Sequence, residues 1–150
     1  MLGSTGSIGL STLSIINKKK NYFKVHLLSA NKNYSLIHKQ IKKYKPVYFV
    51  VTDYKIYLKV KKNFKKNKTK IFNDFKSISN LNKSDITISA IPGISGLQPT
   101  IFMTQFSKKI LLANKEAIIC GWNLIKAKAK KYNTKIIPVD SEHFSIFKLL

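Results

Sequence analysis

Short apolar runs alternate with amphipathic segments along most of the chain. The apolar runs predict strands near 25–30, 47–52, 69–72, 86–90, 110–113 and 134–139. Between them, apolar residues recur at helical spacing and predict helices over 8–18, 34–44, 54–65, 96–107 and 115–131, with another starting near Ser141. This alternation is typical of βαβ units. We therefore expect an α/β fold with a doubly wound, mostly parallel sheet and helices on both of its faces.

The composition fits one globular domain with a core. The chain has 150 residues, of which 44% are hydrophobic and 11% aromatic. No apolar run approaches the ~20 residues that span a bilayer, and no leader peptide is recognised, so no membrane association is expected. The single cysteine, Cys120, cannot form an internal disulfide. That fits a reducing compartment, and we expect a cytoplasmic protein.

The net charge of +22 suggests a nucleic acid or an anionic membrane as a partner. Every basic side chain in that count is a lysine, however, and the sequence contains no arginine. Arginine commonly contacts phosphates and guanine edges, so its absence argues against nucleic acid as a partner. The chain is also rich in asparagine, isoleucine, phenylalanine and tyrosine, and a bias toward A/T-rich codons explains this composition without any partner.

A glycine loop near the start of the chain, G-S-T-G-S-I-G at residues 3–9, precedes the first predicted helix. Glycines at this spacing let backbone N–H groups at a helix N-terminus approach a phosphate. No G-K-[ST] sequence closes the motif, which excludes a Walker loop and leaves a variant of the Rossmann dinucleotide fingerprint. Such a loop normally follows a strand, and here only Met1 and Leu2 precede it. We therefore hypothesise that the true start lies upstream, and that ~5 further apolar residues would stabilise the chain.

The end of the second predicted strand bears on the choice of cofactor. Enzymes that bind NAD usually carry an acidic residue there, which holds the ribose 2′-hydroxyl. Residues 27–33 contain no carboxylate. Instead, this stretch offers side chains that suit a 2′-phosphate, namely Ser29, Asn31, Lys32 and Asn33. The pattern favours NADP(H) over NAD(H).

Two polar clusters follow predicted strands in the second half of the chain. Asn114, Lys115 and Glu116 stand at a strand-to-helix junction, where they serve either as helix caps or in a ligand site. Asp140 and Glu142 are two residues apart, so their carboxylates point the same way on an extended strand end. With Ser141 and His143 beside them, they suit either Mg²⁺ or Mn²⁺ binding or a helix cap. Cys120 lacks a neighbouring base and is a poor nucleophile.

Four segments, in this order and spacing, resemble the 1-deoxy-D-xylulose 5-phosphate reductoisomerase family: G-S-T-G-S-I-G, G-L-Q-P-T, L-L-A-N-K-E and P-V-D-S-E-H-x-x-I-F. The resemblance covers essentially all of the chain. It implies NADPH, Mn²⁺ or Mg²⁺, a homodimer and the conversion of the sugar phosphate to 2-C-methyl-D-erythritol 4-phosphate in isoprenoid synthesis. It also implies an NADPH-binding domain at 1–134 and the start of a catalytic domain at 135–150.

The resemblance further implies a role for each matching residue. Contacts to NADPH are implied for Thr5, Gly6, Ser7, Ile8, Asn31, Lys32, Asn33, Asn114 and Glu116, although the family often has glycine at the position of Asn31. Substrate contacts are implied for Lys115, Ser141 and Glu142, and metal ligation for Asp140 and Glu142. Lys115 and Glu142 are the candidate catalytic residues.

Family members continue well beyond the matching region with a third metal-binding carboxylate, a phosphate pocket, a lid and a helical domain. We therefore expect these 150 residues to bind NADPH with little or no reductoisomerase activity. Two alternatives stay open. A semialdehyde-dehydrogenase-like NADP enzyme requires a catalytic cysteine with a base, and a basic nucleic-acid-binding module predicts duplex binding that falls steeply with salt.

Overall fold

The computed structural model describes residues 1–78 and 81–139, which form two compact units. The first unit consists of Met1 and residues 3–78. The second consists of Leu2 and residues 81–139. In the described residues, each unit contains one parallel three-stranded sheet with helices between its strands. The predicted α/β class with parallel strands is confirmed.

The first unit follows a regular β–α alternation after an initial helix. Its sheet has the order β1-β2-β3, with β1 at Leu27–Ala30, β2 at Tyr48–Val51 and β3 at Lys70–Phe72. Its helices are α1 at Ser7–Lys18, α2 at Tyr34–Tyr44 and α3 at Tyr54–Asn63. A 3₁₀ turn at Lys20–Tyr22 follows α1. Strand β2 is buried along its whole length because it lies between two neighbours, which accounts for its continuous apolar sequence.

The core of the first unit lies between the sheet and its helices. It comprises side chains from β1, β2 and all three helices, together with the residue that follows α3: Leu13, Leu28, Ala30, Ile37, Ile41, Phe49, Val51, Val60 and Phe64. Helices α2 and α3 begin at side-chain caps, since Asn33 accepts a hydrogen bond from the Leu36 N–H at 3.1 Å and Asp53 accepts one from the Ile56 N–H at 3.0 Å. Helix α1 begins at Gly6 without a side-chain cap.

The second unit has the sheet order β4-β5-β6, with β4 at Ser84–Ser89, β5 at Ser107–Leu112 and β6 at Lys135–Pro138. Helix α4, at Leu97–Met103, follows a 3₁₀ turn at Ile94–Gly96, and helix α5 occupies Lys115–Tyr132. Leu112, Ala117 and Ile125 form its buried core. Among the helices that the structure describes, none is long and apolar enough to cross a membrane.

The helix predicted over 96–107 was too long, and the strand predicted at 110–113 began too late. Helix α4 ends at Met103, a 3₁₀ turn covers Thr104–Phe106, and β5 already begins at Ser107. The buried Ser107 hydroxyl lies 2.7 Å from the hydroxyl of Thr87 on β4, within hydrogen-bonding distance. Polar residues thus extend the paired strand beyond its apolar run, so an apolar pattern could not show where the strand starts.

Met1 and Leu2 both make the backbone hydrogen bonds of a parallel strand, although two residues are too few to form a strand. In the first unit, the Met1 carbonyl accepts from the Ser29 N–H at 3.0 Å. In the second unit, the buried Leu2 pairs in parallel with Ser89, donating to the Ile88 carbonyl at 2.8 Å and accepting from the Ala90 N–H at 3.1 Å. The expected gain in stability from further apolar residues stays a prediction.

Burial and the nearby Lys24 ammonium lower the pKa of the His26 imidazole from its usual value of 6.5, so the folded chain binds fewer protons than the unfolded chain below that pH. The stability that this group contributes is therefore fully present above pH 6.5 and is lost as the pH falls through the lowered pKa. We expect the midpoint of thermal unfolding to fall by a few degrees between about pH 8 and pH 5. An unfolding temperature that is constant over this range would contradict the assignment.

Candidate functional site

The glycine loop is held to the sheet of the first unit by Ser29 on β1. The Gly3 N–H donates to the Ser29 hydroxyl at 3.2 Å, and the Ser4 N–H donates to the Ser29 carbonyl at 2.8 Å. Gly3 has a φ of 76°, a conformation that favours glycine. Ser29 is buried, so it fixes this loop and does not fit the 2′-phosphate contact considered for it.

Helix α1 packs closely on the start of the glycine loop at Gly9. A Cβ atom on Gly9 would lie 2.7 Å from the carbonyl carbon and oxygen of Ser4 and closer still to the Gly3 carbonyl oxygen. Gly6 differs, because its Cβ would lie 3.6 Å from the Gly3 carbonyl oxygen, an ordinary contact. The packing of the chain therefore requires glycine at position 9 and leaves position 6 open.

The N-terminus of α1 is exposed and carries no side-chain cap. Gly6, Ser7 and Ile8 are exposed, and the first turn of the helix contains no acidic residue. The first N–H groups of any α-helix lack partners within the helix, and the helix dipole makes this end positive. The loop therefore presents backbone donors and partial positive charge to solvent, an arrangement that suits a phosphate group.

The segment after β1 carries the three predicted contacts to a 2′-phosphate, and all three residues are exposed. Asn31 donates from its side-chain amide to the Thr52 hydroxyl at 2.8 Å, and Asn33 caps α2. Among the described residues, one ion pair is found, between Lys108 and Asp85, so the Lys32 ammonium has no carboxylate partner there. Lys32 is thus the charged group of this segment that is free to meet an anion.

Asn114 lies in the second unit, where it joins β5 to α5. Its side-chain oxygen accepts from the Ala117 N–H at 2.8 Å, which caps α5. Its side-chain amide donates to the carbonyl of Gly93 at 2.9 Å and to that of Ile91. The residue is 2% exposed, so this side chain is largely engaged in holding the 91–93 turn against the helix. The helix cap is one of the two roles considered for this residue from the sequence, whereas the motif did not indicate the bonds to the 91–93 turn.

The remaining predicted site residues are described in part. Lys115 is exposed and Glu116 half-buried in the first turn of α5. Asp140, Ser141 and Glu142 lie outside the described residues, so the structure does not test the predicted metal site. Within residues 1–78 and 81–139, no group of three histidine, cysteine or acidic side chains is arranged to hold a metal ion. Cys120 is free and exposed.

A family model for 1-deoxy-D-xylulose 5-phosphate reductoisomerase matches residues 1–121. Curated relatives of that name from Pelagibacter ubique and Clostridium novyi are 49% and 42% identical to the chain over 154 and 155 residues. Each match covers all of the chain and 40% of the relative. The chain thus spans about 40% of the length of these relatives.

Solved structures of the same enzyme share the fold. The enzyme from Zymomonas mobilis in complex with NADPH is 30% identical, with a TM-score of 0.88 over 99% of this chain and 40% of that one. A second reductoisomerase, in complex with NADPH, fosmidomycin and magnesium, is 31% identical, with a TM-score of 0.90 over 99% of this chain and 38% of that one. The chain belongs to the 1-deoxy-D-xylulose 5-phosphate reductoisomerase family.

Proposed function

We propose that the chain provides the NADPH-binding part of an enzyme that rearranges and reduces 1-deoxy-D-xylulose 5-phosphate to 2-C-methyl-D-erythritol 4-phosphate. The observation that carries the proposal is the uncapped, exposed N-terminus of α1 behind a tightly packed glycine loop. Family membership identifies the ligand that suits it, since the related structures are named as complexes with NADPH.

The residues of the first unit fit a dinucleotide with a 2′-phosphate. Backbone N–H groups of Thr5, Ser7 and Ile8 bind the pyrophosphate, because they lie at the positive end of α1, and Gly6, whose own N–H donates to the Gly3 carbonyl, leaves room for close approach. Lys32, with Asn31 and Asn33 beside it, binds the 2′-phosphate. When bound, NADPH supplies the hydride for the reduction. In the second unit, Glu116 is proposed as a further contact to the cofactor, whereas the contact implied for the Asn114 side chain does not fit its burial and its bonds to the 91–93 turn and α5.

Lys115, Ser141 and Glu142 are proposed to bind the sugar phosphate, with Lys115 and Glu142 as catalytic residues. The exposed Lys115 ammonium suits an anionic substrate. Asp140 and Glu142 are proposed to hold Mg²⁺ or Mn²⁺, which would polarise the substrate carbonyl. We further propose a cytoplasmic homodimer, with the cofactor domain at 1–134 and the catalytic domain starting at 135. A small-molecule partner is in keeping with the reductoisomerase structure that is 31% identical, which is a complex with fosmidomycin as well as NADPH and magnesium.

Lys32→Ala is expected to weaken NADPH binding about tenfold and to leave NADH binding unchanged. The reason is that the variant loses a charge-assisted contact to the 2′-phosphate, which NADH lacks. The measurement is a fluorescence titration of the 150-residue chain with each nucleotide. Lys66→Ala is the matched control, since Lys66 is also exposed and its loss changes the net charge equally. Equal losses of affinity in the two variants would show that only the overall charge matters.

A further inference from the structure

Helix α2 contributes a buried polar side chain to the glycine loop. Gln40 is 4% exposed and lies on the same helix as the fully buried Ile37 and Ile41. Its side-chain amide donates to the Ser4 carbonyl at 2.8 Å, and its side-chain oxygen accepts from the Ser4 hydroxyl at 2.6 Å. Both ends of the Gln40 amide are therefore used on one residue of the loop.

The position of Gln40 otherwise suits an apolar residue. Burying an amide is unfavourable unless it is hydrogen-bonded, and here both of its bonds reach Ser4. Ser4 is itself fully buried, and its N–H is bound to Ser29 on β1. Ser4 is thus held by three hydrogen bonds. Its N–H is bonded to β1, and its carbonyl and hydroxyl groups are bonded to Gln40 on α2.

The bond to the Ser4 carbonyl also fixes the direction of the next N–H group. The chain contains no cis peptide bond in its described residues, and a trans peptide is planar, with its C=O and N–H pointing in opposite directions. Because the Ser4 carbonyl points at Gln40, the Thr5 N–H points away from α2. Thr5 begins the 5–8 segment that is proposed to bind the pyrophosphate.

We propose that Gln40 is a positioning residue for NADPH, acting through Ser4 on the direction of the Thr5 N–H. The inference rests on the proposed function of the loop. Gln40 makes no contact with the cofactor in this scheme. It holds the peptide between Ser4 and Thr5 in the orientation that binding requires, so that NADPH binds without first reorganising the loop.

The test is NADPH affinity, measured by fluorescence titration of the 150-residue chain well below its unfolding temperature. Gln40→Met keeps the length of the side chain and removes both bonds to Ser4. We expect its dissociation constant for NADPH to rise about tenfold. Gln40→Glu, a second variant in case the first does not fold, loses the donor to the Ser4 carbonyl and is expected to weaken binding as well.

Thr69→Val is the control for a purely structural effect. Thr69 is 4% exposed and donates to the Pro46 carbonyl at 2.7 Å, so this variant also loses a buried hydrogen bond of the first unit. We expect a comparable decrease in unfolding temperature and unchanged NADPH affinity. A folded Gln40 variant that binds NADPH as tightly as the unmodified chain overturns the inference. Absence of NADPH binding by the unmodified chain would instead refute the proposed function.

Discussion

Replacing Gly9 with alanine is expected to destabilise the first unit by about 3 kcal/mol and to lower its unfolding temperature by roughly 10 °C. The added Cβ would lie 2.7 Å from two backbone atoms of Ser4, which cannot move aside as the end of a flexible side chain can. The strain outweighs the gain of about 1 kcal/mol that alanine normally brings over glycine in a helix. Because α1 must shift away from the loop, NADPH binding should be lost as well.

Gly6→Ala is the matched control for this prediction. Its Cβ would lie 3.6 Å from the Gly3 carbonyl oxygen, so the fold accepts it, and the unfolding temperature should change little. NADPH affinity should nevertheless fall, since the methyl group stands where the pyrophosphate approaches. Thermal unfolding and nucleotide titration of both variants separate the two effects. A Gly9→Ala chain as stable as the Gly6→Ala chain would refute the packing described at the start of α1.

Replacing Asn114 with aspartate is expected to destabilise the second unit by about 4 kcal/mol at pH 7. The variant keeps the oxygen that caps α5 but removes both donors to the carbonyls of Ile91 and Gly93. A carboxylate oxygen would then face two carbonyl oxygens in a site that is 2% exposed. These surroundings raise the pKa of the new carboxyl group. The loss of stability relative to the unmodified chain should therefore become smaller as the pH falls and the group becomes protonated.

The control is Asn33→Asp, because Asn33 also caps a helix through its side-chain oxygen. Aspartate is as good a cap as asparagine, and its charge favours the positive end of α2. We expect the unfolding temperature of this variant to stay the same or to rise slightly. Thermal unfolding of the two variants at pH 7 is the measurement. Equal stability of Asn114→Asp and Asn33→Asp would show that the hydrogen bonds to the 91–93 turn do not hold it in solution.

The strand and helix order of the fold could be predicted from the sequence because most core residues lie in regular apolar patterns. The continuous run 47–52 indicated the buried central strand β2, and the break at Pro46 indicated the end of α2. The start of β5 could not be predicted, since its first residues are polar and are part of the strand through their pairing with β4, where Ser107 lies opposite Ser84. The arrangement of the described strands as two sheets was likewise not visible in the pattern.

The candidate site was predictable where a local motif carries the chemistry. The glycine spacing indicated the loop before α1, and the 2′-phosphate contact suggested by the missing carboxylate after β1 stays a prediction. The bonds that shape the loop before α1 and the 91–93 turn come from distant residues. Gln40 contacts Ser4 across 36 positions, and Asn114 reaches Ile91 across 23. A single buried glutamine on an apolar helix face was a possible signal, but its partner could not be inferred from spacing.

We expect this chain to bind NADPH through its glycine loop. The direct test is a fluorescence titration of the 150-residue chain with NADPH, with NADH and duplex DNA titrated in parallel at several salt concentrations. Saturable binding of NADPH, weaker binding of NADH and no specific binding of DNA are expected. Absence of saturable NADPH binding, together with duplex binding that falls steeply with salt, would refute a cofactor role for the loop and favour a basic nucleic-acid-binding module.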